Sequence, residues 1–264
     1  MNKRIGLLLL LIAFAAAFTF MVKKNNSALK PDTNKYSGKY FPGFAVVELF
    51  TSEGCSSCPP AENLVNRLEP MYDSLNEPVY FVNYHVDYWN SKSWTDPFSN
   101  ASYSDRQRWY AGLLKSGDVY TPQTRVNGGE DFVGSLESKS ESGIDAGLNE
   151  KPGATIGLKT DKDDKENLVV QYHLGGDFKN AKLNFAVSQL NLTSQVKGGE
   201  NKNRTLHYYS AVRKFYTVRA DSSGNYSISN DVFQDGPKYK LLAFLQDTTS
   251  GKIIAAKQIL VYPQ

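Results

Sequence analysis

The stretch FTSEGCSSCPPAE, residues 50–62, holds both cysteines of the 264-residue chain. It grows out of FAVVELF (44–50), an apolar run interrupted only by Glu48 and so patterned as a buried central strand. Beyond it, Leu64, Val65, Leu68 and Met71 recur at helical spacing, and Pro59 and Pro60 stand where a first helical turn tolerates missing N–H donors. Cys55 and Cys58 therefore lie on a strand-to-helix turn. Their spacing lets the sulfurs meet, and a helix N-terminus favours thiolate at the first of them. Cys55 is then the exposed attacking thiol and Cys58 the resolving one. Zinc knuckles share the spacing, so a metal site stays open at this point. A plain structural staple is disfavoured, because closing so short a loop removes little unfolded-state entropy.

Upstream, MNKR leads into an apolar run of 18 residues, Ile5–Val22, broken only by Gly6 and Thr19 and ended by Lys23 and Lys24. Residues 1–24 read as an export signal or a retained N-terminal membrane anchor, with Ala15, Ala16 and Ala17 offering a cleavage site. No cysteine lies there to carry a lipid. Residues 25–43 are polar and without period, as a linker is. An exported chain that keeps a single cysteine pair three residues apart is using it for something other than a disulfide framework. Removing Lys3 and Arg4 from 30 basic residues leaves 28 against 27 acidic ones, a net charge of +1. That balance asks for no nucleic-acid or anionic partner.

Two regions of different character follow. In 44–150, PVYFVNYHV (78–86) is a second strand, and a polar-aromatic insertion runs from Asp87 to Ser104. SDRQRWYAGLL (104–114) is a helix capped by Ser104 or Asp105. VYTPQTRVNGGEDFVGS (119–135) is a hairpin turning at Asn127 and Gly128, and LESKSESGIDAGLNE (136–150) a closing helix. In 151–264 the pattern becomes alternating strands, as in NLVVQYHL (167–174), KLNFAVSQL (182–190) and YKLLAFLQD (239–247). Roughly seven short strands predict a β-sandwich-like domain.

The order β-α-β-α-β-β-α, with Thr121-Pro122 ahead of the third strand, resembles the thioredoxin fold. That resemblance implies a cis Pro122 facing the dithiol and a Thr121 backbone edge on which a substrate strand pairs. Gly54 stands where thioredoxins usually carry Trp, and the 87–104 insertion is longer than a minimal thioredoxin has. A closer similarity covers roughly residues 44–264. The stretches VVELFTSEGCSSCPPAENLVNRL (46–68), YHVDYWNSKSWTDPFSNASYSDRQRWYA (84–111), VYTPQTRVNG (119–128) and NKNRTLHYYSAVRKF (201–215) resemble domain-of-unknown-function family 1223, thioredoxin-like proteins of bacteria that are exported. The resemblance implies a fold and a periplasmic, secreted or membrane-anchored location, and no established reaction. His85 and Asp87 point the same way at the C-terminal end of a strand beside the cysteine strand, where catalytic groups gather. Either can shuttle a proton for Cys58 or tune Cys55. Their structural alternative is a His85 held by a backbone carbonyl and an Asp87 that caps the insertion. Trp89 and Trp94 line a groove or pack the insertion, whereas His173 and His207 fall on solvated surface.

Three functions are compatible with these residues. One is an extracytoplasmic thiol–disulfide oxidoreductase with Cys55, Cys58, Thr121, Pro122, His85 and Asp87 at its site, no cofactor beyond the redox disulfide, and protein thiols or disulfides as partners. Its direction is open, although no basic residue lies between the cysteines to stabilise a thiolate strongly. The second is a copper or zinc binding or delivery protein using Cys55, Cys58 and His85. The third is a non-catalytic binding module with a permanent disulfide.

Overall fold

The computed structural model describes residues 42–115, 119–233, 236 and 238–262. The expected export segment and nearly all of the linker lie outside them. Among the described residues, no helix is long and apolar enough to cross a membrane.

The first part of the chain runs β1 (Ala45–Thr51), α1 (Pro59–Leu75), β2 (Val79–His85), α2 (Ala101–Leu114), β3 (Gln123–Val126), β4 (Phe132–Val133) and α3 (Glu137–Asn149). Its strands form one sheet in the order β2-β1-β3-β4, with β1 parallel to β2 and antiparallel to β3. All seven residues of β1 are buried, as expected of a strand covered on both faces. Helix α1 ends on a left-handed Asn76, whose N–H returns to Asp73.

Seven strands follow: β5 (Ala154–Lys162), β6 (Leu168–Gly176), β7 (Ala181–Gln195), β8 (Thr205–Arg219), β9 (Ser223–Ile228), β10 (Tyr239–Asp247) and β11 (Ile253–Val261). They make a four-stranded sheet, β11-β10-β7-β8, and a three-stranded one, β5-β6-β9. The two sheets enclose one core that contains Val170, Leu174, Phe185, Leu241 and Leu245. Strands β7 and β8 are 15 residues each, longer than the short strands the alternation implies.

Near residue 150 the architecture changes, and the described residues on either side of that point belong to one compact unit with a shared cluster. Strand β10 explains this. Tyr239, Leu241, Ala243 and Leu245 face the inter-sheet core, while Leu242 and Phe244 join a second cluster with Val46 and Phe50 of β1, Val82 and Tyr84 of β2, and Tyr103 and Tyr110 of α2. Period-two alternation with apolar groups on both faces gives the sheet two cores to share.

Two local expectations are corrected. Helix α2 starts earlier than Ser104: its cap is Asn100, whose side chain accepts the Ser102 N–H at 3.0 Å. Ser104 instead bonds the Asp87 carboxylate and accepts the Asp87 N–H. The hairpin does turn at Asn127 and Gly128, both at positive φ, but strand pairing resumes only at Phe132. Arg125 holds the intervening residues open by donating to Gly129 O at 2.7 Å and to Asp131 at 2.7 Å.

Candidate functional site

The end of β1 delivers Thr51 and the loop Ser52–Cys58 to the N-terminus of α1. There Cys55 and Cys58 are joined in a disulfide with Cα atoms 5.5 Å apart. The loop is a series of tight turns: Cys55 N–H donates to Ser52 O, and Cys58 N–H to Cys55 O. Ser57 bridges outward, 3.3 Å from Cys55 Sγ and donating to Thr121 O at 3.4 Å. The Thr121–Pro122 peptide is cis, and the Thr121 hydroxyl accepts from Trp89 Nε1 at 2.7 Å. Cys55, Cys58, Thr121 and Pro122 thus belong to one site.

Cys55 is not the exposed thiol that the motif implies. It is 0% exposed and Cys58 1%, whereas Ser56 and Ser57 face solvent. The cover is tertiary. Trp89 packs so closely on Gly54 that a Cβ there would lie 3.1 Å from it, and Gly199 approaches the same glycine. Asn201, itself buried, donates to Glu53 O at 3.0 Å and to Cys55 O at 2.8 Å.

Beneath the loop lies a buried acid–base cluster. His85 is fully buried with its ring against Phe98 and Tyr208, and its Nδ1 is 2.8 Å from Asp96. Asp96 also accepts the Glu53 N–H at 2.8 Å. The Glu53 carboxylate takes Trp94 Nε1 at 3.0 Å and Tyr208 OH at 3.2 Å. Glu62 sits one helical turn after Cys58 and is buried too. Burial would lower the His85 pKa, but the charge and hydrogen bond of Asp96, then Glu62 and Glu53, raise it to about 9. Burial tends to raise Asp96, yet His85 holds it below its ordinary value. Glu62 and Glu53 are both pushed up, first by burial. His85 Nε2 is buried without a hydrogen-bond partner, while the Thr51 hydroxyl supports the Glu62 carboxyl and opposes the effect of burial on it.

Of the candidates read from sequence, His85 joins this cluster through a carboxylate and not a backbone carbonyl. Asp87 does not: it is half-buried and tied to Ser104 of α2. Trp89 and Trp94 are partly buried and spend their N–H groups on Thr121 and Glu53. Among the described residues, no three His, Cys, Asp or Glu are grouped to hold a metal ion. Sequence reading missed Glu53, Glu62 and Asp96. Glu62 had a signal, the i, i+4 spacing from Cys58 that puts both on one helix face. Tyr208 and Asn201 had none, lying about 150 residues away from the motif.

Residues 46–246 match the family model described as protein of unknown function (DUF1223), and the chain belongs to that family. No curated protein matches it significantly. A crystal structure of a protein from Agrobacterium tumefaciens is similar to it, with 24% sequence identity, a TM-score of 0.62, and coverage of 84% of this chain and 96% of that one. That likeness concerns the fold alone.

Proposed function

We propose that this family member is an extracytoplasmic, thioredoxin-like thiol–disulfide oxidoreductase. The observation that carries the reading is the Cys55–Cys58 disulfide at a helix N-terminus, bridged through Ser57 to the carbonyl of the cis Thr121–Pro122 segment. The export-type segment at residues 5–22 supplies the compartment.

In the reduced protein, Cys55 loses its proton and its thiolate attacks one sulfur of a substrate disulfide. The substrate S–S bond breaks, its second sulfur leaves as thiolate and takes a proton, and a Cys55–substrate mixed disulfide remains. Cys58 then gives up its proton and attacks Cys55 Sγ. This releases the substrate's first sulfur as a thiol and re-forms Cys55–Cys58. Two electrons pass from the protein dithiol to the substrate disulfide, and the same steps in reverse oxidise a substrate dithiol. In this reading Glu62, one helical turn after Cys58 and with its carboxyl pushed up by burial, takes and returns the Cys58 proton, and His85 balances its charge. Because Cys55 is covered, exchange requires the covering residues to shift.

The test is a titration of the full chain against glutathione buffers with thiols counted and zinc and copper assayed. Reversible interconversion at a potential between about −270 and −120 mV is expected. The Cys55→Ser variant should exchange nothing, and Cys58→Ser should accumulate mixed disulfide. A disulfide resisting reduction below about −300 mV, or stoichiometric metal, overturns the reading.

A further inference from the structure

The turn between β7 and β8, residues 196–204, is built into the cysteine loop. A Cβ on Gly198 would lie 2.0 Å from Ser93 O, and Gly199 lies against Gly54. Besides the two bonds from Asn201, the turn offers the carboxylate of Glu200, which accepts the Ser56 N–H at 2.8 Å. Since Ser56 N is joined to Cys55 through a single carbonyl carbon, covalent geometry keeps that carboxylate within roughly 7 Å of Cys55 Sγ.

Most backbone donors that ordinarily hold a thiolate at a helix N-terminus are spent or missing here, and the Ser57 hydroxyl, 3.3 Å from Cys55 Sγ, is shared with Thr121 O. Pro59 and Pro60 have no N–H. The N–H groups of Ala61 and Glu62 both go to Cys58 O, that of Cys58 goes to Cys55 O, and that of Ser56 goes to Glu200. The backbone of the helix start therefore offers Cys55 less than the motif alone implies, and on the outer side the Glu200 carboxylate is bonded to the adjoining peptide. Below the loop lie Glu53, Glu62, Asp96 and His85; on the turn itself are exposed Lys197, Lys202 and Arg204, the last donating to Asn201 Oδ1 at 2.8 Å.

We infer that Glu200 is a positioning residue that denies Cys55 its thiolate stabilisation and so keeps the Cys55–Cys58 couple on the disulfide-favouring, electron-donating side. The inference rests on the dithiol reading of this site and adds its direction. The equilibrium concerned is protein disulfide plus two glutathione thiols giving protein dithiol plus glutathione disulfide. Stabilising the Cys55 thiolate, with its proton released to solvent, pulls that equilibrium to the right.

The experiment measures the Cys55 pKa from the pH dependence of iodoacetamide alkylation in the full chain carrying Cys58→Ser. Adding E200Q keeps an oxygen acceptor for the Ser56 N–H but removes the charge. The pKa should fall by about half a unit to one unit, and E200D should restore it. Alkylation at pH 7 should quicken only about threefold, because nucleophilicity falls with pKa. With both cysteines present, E200Q should shift the glutathione equilibrium toward the dithiol by up to about tenfold at a pH above the Cys55 pKa, equivalent to about 30 mV. Independently of any change at Glu200, raising salt from about 0.02 M to about 0.5 M should lower the Cys55 pKa in Cys58→Ser, since an exposed carboxylate is screened. An unchanged pKa in E200Q, or equal values in E200Q and E200D, overturns the inference. Should the native couple never equilibrate with glutathione, the oxidoreductase reading fails by itself, and the Cys55 pKa still decides the role of Glu200.

Discussion

Strand β1 passes two buried ionic networks that differ in one respect. At its middle, Glu48 accepts Arg106 Nε at 2.6 Å and Tyr110 OH at 2.5 Å. Arg106 also donates to Gln246 Oε1 at 3.0 Å, and Gln246 returns to Tyr110 OH at 2.6 Å and to Gly251 O at 2.8 Å. The guanidinium lies 4.8 Å from the Phe215 ring centroid. Carboxylate, guanidinium and amide all find partners, and the bonds tie β1 and α2 to β10. At its C-terminal end, the network of His85, Asp96, Glu53 and Glu62 leaves His85 Nε2 buried without a hydrogen-bond partner. A satisfied network fixes one arrangement, while a partly satisfied one keeps the freedom to move a proton at the expense of stability. The first welds the two halves of the chain; the second lies under the disulfide.

The largest expected effect is on the weld. Arg106→Met leaves Glu48 buried and uncompensated, and the urea midpoint should report a loss of about 3–5 kcal/mol. A loss below about 1 kcal/mol would place both networks in the same class. Next comes pH. The folded His85 pKa, about 9, is above the ordinary 6.5, so its stabilisation is fully present below about pH 6.5 and lost as pH rises through 9. Wild-type stability should drop by something on the order of 3 kcal/mol over that window, and His85→Gln should flatten the drop. Equal slopes in the two proteins would remove His85 from the cluster's charge balance.

Glutamine at the two carboxylates should act with opposite signs. The Glu62 pKa is raised, so whatever stability its protonated form carries is present below about pH 4.5 and fades as pH climbs through the folded value. Glu62→Gln cannot lose that proton and should gain on the order of 1 kcal/mol at pH 8, whereas Glu48→Gln should destabilise. Two changes of the same sign would end the contrast drawn between the networks. The smallest effect belongs to the surface. Arg67 and Glu137 make two contacts of 2.8 and 2.9 Å but remain partly exposed, and Glu137→Ala should cost about 0.5 kcal/mol in the same urea measurement.

Local chemistry was legible in the chain. The run 44–50 anticipates β1 to within a residue and Pro59-Pro60 the start of α1, because burial and period are properties of neighbouring residues. The α2 start was misread for the same reason. Ser104 and Asp105 are ordinary caps by composition, but Ser104 is claimed by Asp87, a partner 17 residues away. The site was half legible: Cys55, Cys58, His85 and the Thr121–Pro122 pair were found as motif or strand-end residues, while Asp96 sits in an insertion whose path no periodicity describes.

By itself, then, the sequence determined the strand-to-helix turn that brings two sulfurs together, the order of helices and strands up to residue 150, and the change to alternating strands after it. Only the tertiary structure decided that β10 serves two cores, that Cys55 is covered, and that Asn201 and Glu200 hold the loop carrying it. Those outcomes depend on which side chains from distant segments exclude water and supply charge at the same point. Close packing and desolvation act on spatial neighbours, and spacing along the chain carries no record of them.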